Sequence, residues 1–200
     1  MILVTSVGEN EGKSTIAANL ALALAAKNRR VVLLDCDFRK PSLHKIFDMP
    51  AGKEKTLTSY LLQEKTDPSS CLIENKKHGI FLSVSQNSGR SVTKLLNNGR
   101  LPALLQGLRT QMDYIILDTP PMLAAADAET LARLSDTALL VVRSDFMPAS
   151  AINQGLRETG TLHGGLGVER KAQYLFNKRH IDESHATRLK SLWDFRSQSD

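Results

Sequence analysis

Six short apolar runs set the main constraint on what this chain can fold into. They are Ile2-Leu3-Val4, Val31-Val32-Leu33-Leu34, Ile80-Phe81-Leu82-Ser83-Val84, Tyr114-Ile115-Ile116-Leu117, Ala138-Leu139-Leu140-Val141-Val142 and Gln173-Tyr174-Leu175-Phe176. Continuous apolar character, rather than strict alternation, suits strands buried on both faces. Between the runs lie segments of helical period: Ser14–Lys27, Leu57–Leu62, Leu101–Gln111, Ala126–Leu134 and Ala149–Leu156. Strand-helix alternation of this kind predicts an α/β fold, a mostly parallel twisted sheet flanked by helices. The stretches Pro50–Asn75 and Gly160–Lys171 are less regular, the second carrying four glycines. Residues 1–178 are expected to form one domain. Residues 179–200 form a polar, basic tail in which Leu189, Leu192 and Trp193 stand at helical spacing and predict a last docked helix.

Composition narrows the class. The 200 residues suit one domain and bury a core without disulfide or metal staples. Apolar residues at 42% and charged residues at 24% exclude a disordered or collagen-like chain. The longest apolar stretch, Ile16–Ala26, is too short to span a bilayer and contains Asn19. No basic start or cleavage site marks the opening residues, so no signal peptide is expected. Cys36 and Cys71 lie far apart and read as two reduced thiols of a cytosolic protein. The net charge of +5 is scattered along the chain, which does not support nucleic-acid binding.

The strongest local signal follows the first apolar run: Gly8, Glu9, Asn10, Glu11, Gly12, Lys13, Ser14 and Thr15, opening directly into a helix. Such a loop turns backbone N–H groups inward as an anion nest, and the helix N-terminus adds its positive end. Lys13 supplies a point charge for β- and γ-phosphates, and Ser14 offers a hydroxyl to Mg²⁺. The first glycine of the usual phosphate-loop pattern would fall at Val7, and Gly8 comes one residue later. Two further runs end in acids: Asp35-Cys36-Asp37 after the second, Asp118-Thr119-Pro120-Pro121 after the fourth. Acids at the carboxyl edge of a parallel sheet lie where ligands bind, and Mg²⁺ takes few carboxylates beside phosphate oxygens. The plainer alternative is that a strand-ending Asp caps the next helix.

Together, Gly8–Thr15 with Ile16–Ala21, Leu33–Pro41 and Leu117–Pro121 resemble the three nucleotide motifs of bacterial tyrosine kinases. Asp113-Tyr114 and Asp127-Ala128 are also similar to that family. The resemblance covers roughly residues 1–155. The wider superfamily holds the cell-division and partition ATPases of the MinD and ParA type. Those carry a lysine where this chain has Gly8, whereas Arg39-Lys40-Pro41 matches the tyrosine-kinase branch. The resemblance implies γ-phosphate transfer from ATP, with Mg²⁺, to a protein tyrosine, in control of capsular or exopolysaccharide chain length and export. It implies a transmembrane chain-length protein as partner, a place at the inner face of the cell membrane, and possible homo-oligomers. By motif alignment Lys13 holds phosphates, Ser14 and Asp37 hold the metal, Asp118 holds it through water, and Asp35 is the base. Asn177 would read adenine, a turn residue being the other reading.

The family also has an upstream helix that supports a ring and a C-terminal cluster of tyrosines. Here the tyrosines are Tyr60, Tyr114 and Tyr174, so a fragment or truncated gene is expected. Two other readings stand beside the kinase. One is a MinD/ParA-like ATPase switch. The other is a regulatory module that binds nucleotide without chemistry.

Overall fold

A computed structural model describes residues 1–49, 56–63, 67–87, 92–124, 126–143, 147–148, 150–155, 157 and 172–177. The expectations for Gly160–Lys171 and for the tail 179–200 lie outside them. Among the described residues seven strands form one sheet: β1 (Ile2–Ser6), β2 (Val31–Asp35), β3 (Ile73–Asn75), β4 (Ile80–Ser83), β5 (Tyr114–Asp118), β6 (Thr137–Arg143) and β7 (Ala172–Asn177). Their spatial order is β3-β4-β2-β5-β1-β6-β7. All neighbouring pairs run parallel except β3 with β4. The expected six parallel strands are therefore all present. The addition, β3, spans three residues, too short to show a period, and it occupies an edge.

The α-helices among the described residues are α1 (Lys13–Ala25), α2 (Leu43–Ile46), α3 (Leu57–Leu62), α4 (Val92–Leu96), α5 (Arg100–Arg109) and α6 (Ala126–Leu134), and Pro68–Cys71 forms a short 3-10 helix. A further helical stretch covers 150–155. Both faces of the sheet are covered, as the unbroken apolar runs require. In β2, Val31 and Leu33 join α1 and Leu43 of α2 in one cluster. Val32 and Leu34 point the other way and pack with Leu57, Leu95, Leu104 and Leu131. The buried face of α1 is Ala17, Ala18 and Ala21. Small side chains there bring the helix, and the loop that starts it, close onto the sheet.

Register places the site. Val4 lies beside Asp118, and Asp35 lies beside Asp118 across β2 and β5. The loop after β1 therefore emerges next to the acidic end of β5, with that of β2 one strand further on the same side, at one carboxyl edge.

Candidate nucleotide and phosphoryl-transfer site

The loop between β1 and α1 turns on two left-handed residues, Asn10 (φ 61°) and Gly12 (φ 89°). Asn tolerates that region better than most side chains, and glycine meets no Cβ clash there. The turn sets Lys13 and Ser14 at the first positions of α1. Val7, at the position of the usual first glycine, is fully buried with Leu140 and Val142. A Cβ on Gly155 would lie 3.2 Å from Val7 Cγ2, so the valine anchors the loop against a close neighbour.

Glu11 is almost completely buried, at 1% exposure. Its Oε2 accepts the Gly8 N–H at 2.6 Å and its Oε1 accepts the Arg143 N–H at 3.1 Å. One carboxylate thus clasps the loop to the end of β6. Glu11 was expected among residues contacting nucleotide, and nothing in the local motif signals this clasp. Removing it strands two amides, each costing about 1–3 kcal/mol. Glu11→Ala is therefore expected to weaken nucleotide binding about ten-fold and lower the melting temperature, with Glu11→Gln recovering part of both. Calorimetric titration and thermal melts check this. An alanine variant melting with the parent chain would remove the clasp from the account.

The acids take different places. Lys13 Nζ lies 3.0 Å from Asp37 Oδ2 and 3.8 Å from Asp118 Oδ1, and it donates to Ser14 Oγ at 3.3 Å. Burial works against the Lys13 ammonium, yet the charges of Asp118 and Asp37 hold its pKa above the ordinary lysine value. Asp37 Oδ1 also accepts the Lys40 N–H at 2.9 Å. Asp118 is fully buried; neither oxygen accepts a well-formed hydrogen bond, and the groups that pull on its charge are the Lys13 ammonium and the Ser14 hydroxyl. Burial pushes its pKa up to about 6, against the pull of Lys13.

Asp35, expected as the base, is fully buried and faces backbone. Its Oδ1 accepts the Asp37 N–H at 3.3 Å. Its Oδ2 accepts the N–H groups of Ser42 and Leu43 at 3.0 and 3.1 Å. That is the helix-capping alternative, applied to the start of α2. Burial and the Asp118 charge push the Asp35 carboxyl well above the usual range.

A cleft of about 440 Å³ opens over Gly12, Lys13, Ser14 and Asp37. The residues present fit Mg²⁺ with a phosphate-bearing ligand. A buried carboxylate with two orphaned oxygens, a second carboxylate and a hydroxyl converge on the lysine, and Mg²⁺ needs only one or two carboxylates when phosphates complete its shell.

A family model described as an AAA domain matches residues 5–164. The chain belongs to that family. This AAA domain is 36% identical over 145 residues to the tyrosine-protein kinase YwqD of Bacillus subtilis (strain 168), covering 72% of this chain and 59% of that protein. The chain thus spans about three-fifths of that curated relative. Among solved structures it resembles the kinase domain of the Escherichia coli tyrosine kinase ETK. The TM-score is 0.79 at 26% identity, over 92% of this chain and 69% of that one. Cobyrinic acid a,c-diamide synthase from Mycobacterium smegmatis, solved with a bound ATP analogue and magnesium, shares the fold. Its TM-score is 0.72 at 20% identity, over 100% of this chain and 82% of that one.

Other residues singled out in the sequence are placed around the AAA domain's cleft. Arg39 holds Asp127 at 2.8 Å and Lys40 Nζ holds Glu9 at 2.6 Å. Arg39, Lys40 and Glu9 border the cleft. Asn177 pairs in register with Arg143, at the sheet edge that carries the loop. Tyr60 is core, only 4% exposed, with the Arg100 guanidinium 4.3 Å over its ring. Cys36 and Cys71 are buried free thiols. No helix among the described residues is long and apolar enough to cross a membrane.

Proposed function

We propose that the chain binds ATP with Mg²⁺ and transfers the γ-phosphoryl group to a tyrosine hydroxyl of a protein. The observation that carries this reading is Lys13 held between Asp37 and the orphaned carboxylate of Asp118. Likeness to tyrosine-protein kinases supplies the acceptor class.

On this reading the loop amides and Lys13 bind the β- and γ-phosphates, the lysine moving from its carboxylates to the nucleotide. Ser14 and Asp37 would hold the metal directly and Asp118 would hold it through water. When bound, Mg²⁺ would neutralise charge on the β- and γ-phosphates. Asp35 positions Asp37 through its backbone amide, in place of the expected role as base. The phenolic oxygen forms its bond to the γ-phosphorus as the bond to the β-bridging oxygen breaks. ADP leaves, and the phenolic proton passes to water at the mouth of the cleft. Such a transfer asks for positioning and charge stabilisation more than for a strong base. Asn177 reads adenine from the end of β7.

The biological setting we propose is control of capsular or exopolysaccharide chain length and export, at the inner face of the cell membrane. A transmembrane chain-length protein is the partner, homo-oligomers are the assembly, and nucleic acid is no ligand. The MinD/ParA-like switch and the regulatory module are told apart in one assay, with labelled ATP, Mg²⁺ and a tyrosine-bearing peptide. Phosphotyrosine is the expected product. Free phosphate alone would indicate the switch, and binding without turnover the module.

A further inference from the structure

The lining of the cleft is mixed. Its polar part includes the loop, Lys13, Ser14 and Asp37. Its apolar part, here the flank, is Ile46 from α2 with Pro120, Pro121 and Ala124 from the segment after β5. Ile46 is 40% exposed, one of two large hydrophobic side chains among the described residues that reach such exposure. In the same four-residue helix, Leu43 is fully buried. The helix therefore docks through Leu43 and leaves Ile46 at the cleft. A single exposed apolar side chain needs no explanation by itself. Its place in one cleft with two prolines and the phosphate loop does.

The position of this flank decides between two aromatic occupants, the base of the nucleotide and the ring of the acceptor. Strand order puts β5 and then β2 on one side of β1 and its phosphate loop, and β6 and β7 on the other. Lys13 meets Asp37 and Asp118 on the first side. The flank belongs to that side as well. Ile46 follows Asp37 along one segment, and Pro120 and Pro121 follow Asp118. Lysine and metal ligands gather where the γ-phosphate sits, so the flank borders the phosphoryl-transfer end.

We infer that Ile46, Pro121 and Ala124 seat the aromatic ring of the acceptor, a tyrosyl side chain whose hydroxyl then reaches the polar part of the lining. This rests on the kinase reading and deepens it, since the flank selects tyrosine over serine or threonine. An aliphatic hydroxyl of the same peptide would leave the flank uncovered and fall short of the transfer point.

The test uses the full chain with Mg²⁺ and an unreactive ATP analogue, and two peptides that differ only in Tyr or Ser. The Ile46 methyl resonance, assigned by its loss in Ile46→Ala, is followed by NMR. The tyrosine peptide should shift it through the ring current, and the serine peptide should not. In turnover, Ile46→Ala should raise KM for the tyrosine peptide about five-fold, with the nucleotide Kd within about two-fold of the parent. A methyl shift produced by nucleotide rather than peptide, or a rise in nucleotide Kd, would overturn the inference and assign the flank to the base. No shift with either peptide also overturns it. Absence of phosphotyrosine from the parent chain would count against the kinase reading, while the methyl experiment would still decide what the flank binds. The exposure of Ile46 favours a folded alanine variant, and a thermal melt verifies it.

Discussion

Lys13→Met is expected to reduce phosphoryl transfer about a hundred-fold or more, in the range found when a transition-state charge donor is removed. The same substitution is expected to destabilise the nucleotide-free protein. Lys13 is the cation held by Asp37 at 3.0 Å and faced by Asp118 at 3.8 Å. Taking one partner from a buried ion pair costs about 3–5 kcal/mol, because the remaining charges lose their compensation. The loss should depend on pH. In acid the Asp118 carboxyl, raised by burial, takes up a proton and the methionine is tolerated; at pH 8 it is charged without its cation. Turnover with labelled ATP and thermal melts at both ends of the range test the two halves separately. Full turnover by Lys13→Met would remove the loop assignment.

Asp118→Asn is expected to abolish metal-dependent turnover and, in the absence of nucleotide and metal, to stabilise the protein at neutral pH. The sign follows from the pKa. Burial raises the Asp118 carboxyl from 3.8 to about 6 in the folded chain, so the native state binds this proton more tightly than the unfolded state does. The associated stability is complete below the unfolded value and is lost as pH rises through the folded one. A displacement of about two units corresponds to about 3 kcal/mol. The parent chain should therefore lose stability between pH 4 and 7 by roughly that amount from this group, and Asp118→Asn should not. The variant melts above the parent at pH 7.5, and the two converge near pH 4. Melting curves in chelator across that range are the measurement. Parallel pH profiles, or a variant less stable at pH 7.5, would show that the orphaned carboxylate carries no such strain.

Much of the fold was legible because its strands are buried on both faces. An apolar run without alternation has few other places to go, and six such runs separated by helical segments leave little besides a covered parallel sheet. The missed elements are those with too few residues to carry a period. β3 has three residues, α2 four and α4 five. Tertiary contacts, not local pattern, decide whether such segments are ordered.

The site was legible in its residue types and less so in their division of labour. Lys13, Ser14, Asp37 and Asp118 do converge. Strand-ending acids look alike in sequence, however, and only the path of the following backbone distinguishes them. The chain after Asp35 folds back so that three amides reach its carboxylate, while Asp118 receives none. Glu11 was harder still, because its partner Arg143 lies 132 residues away. Tyr60 looks in sequence like any tyrosine near a loop, and only the fold shows that its ring packs in the core.

The bonds of Asp35 bear on how a ligand would be received. A single buried side chain fixes the amides of Asp37, Ser42 and Leu43, so the acid at the phosphoryl end and the helix that presents Ile46 are held as one piece. Their separation is set when the chain folds, not when a ligand arrives. The ordering cost of that arrangement then falls on folding and is absent from binding, which is the advantage of preorganisation. It also leaves the residues of α2 that face outward free to vary without disturbing the spacing. Acceptor preference could therefore drift at Ile46 while the distance from acid to acceptor stayed constant.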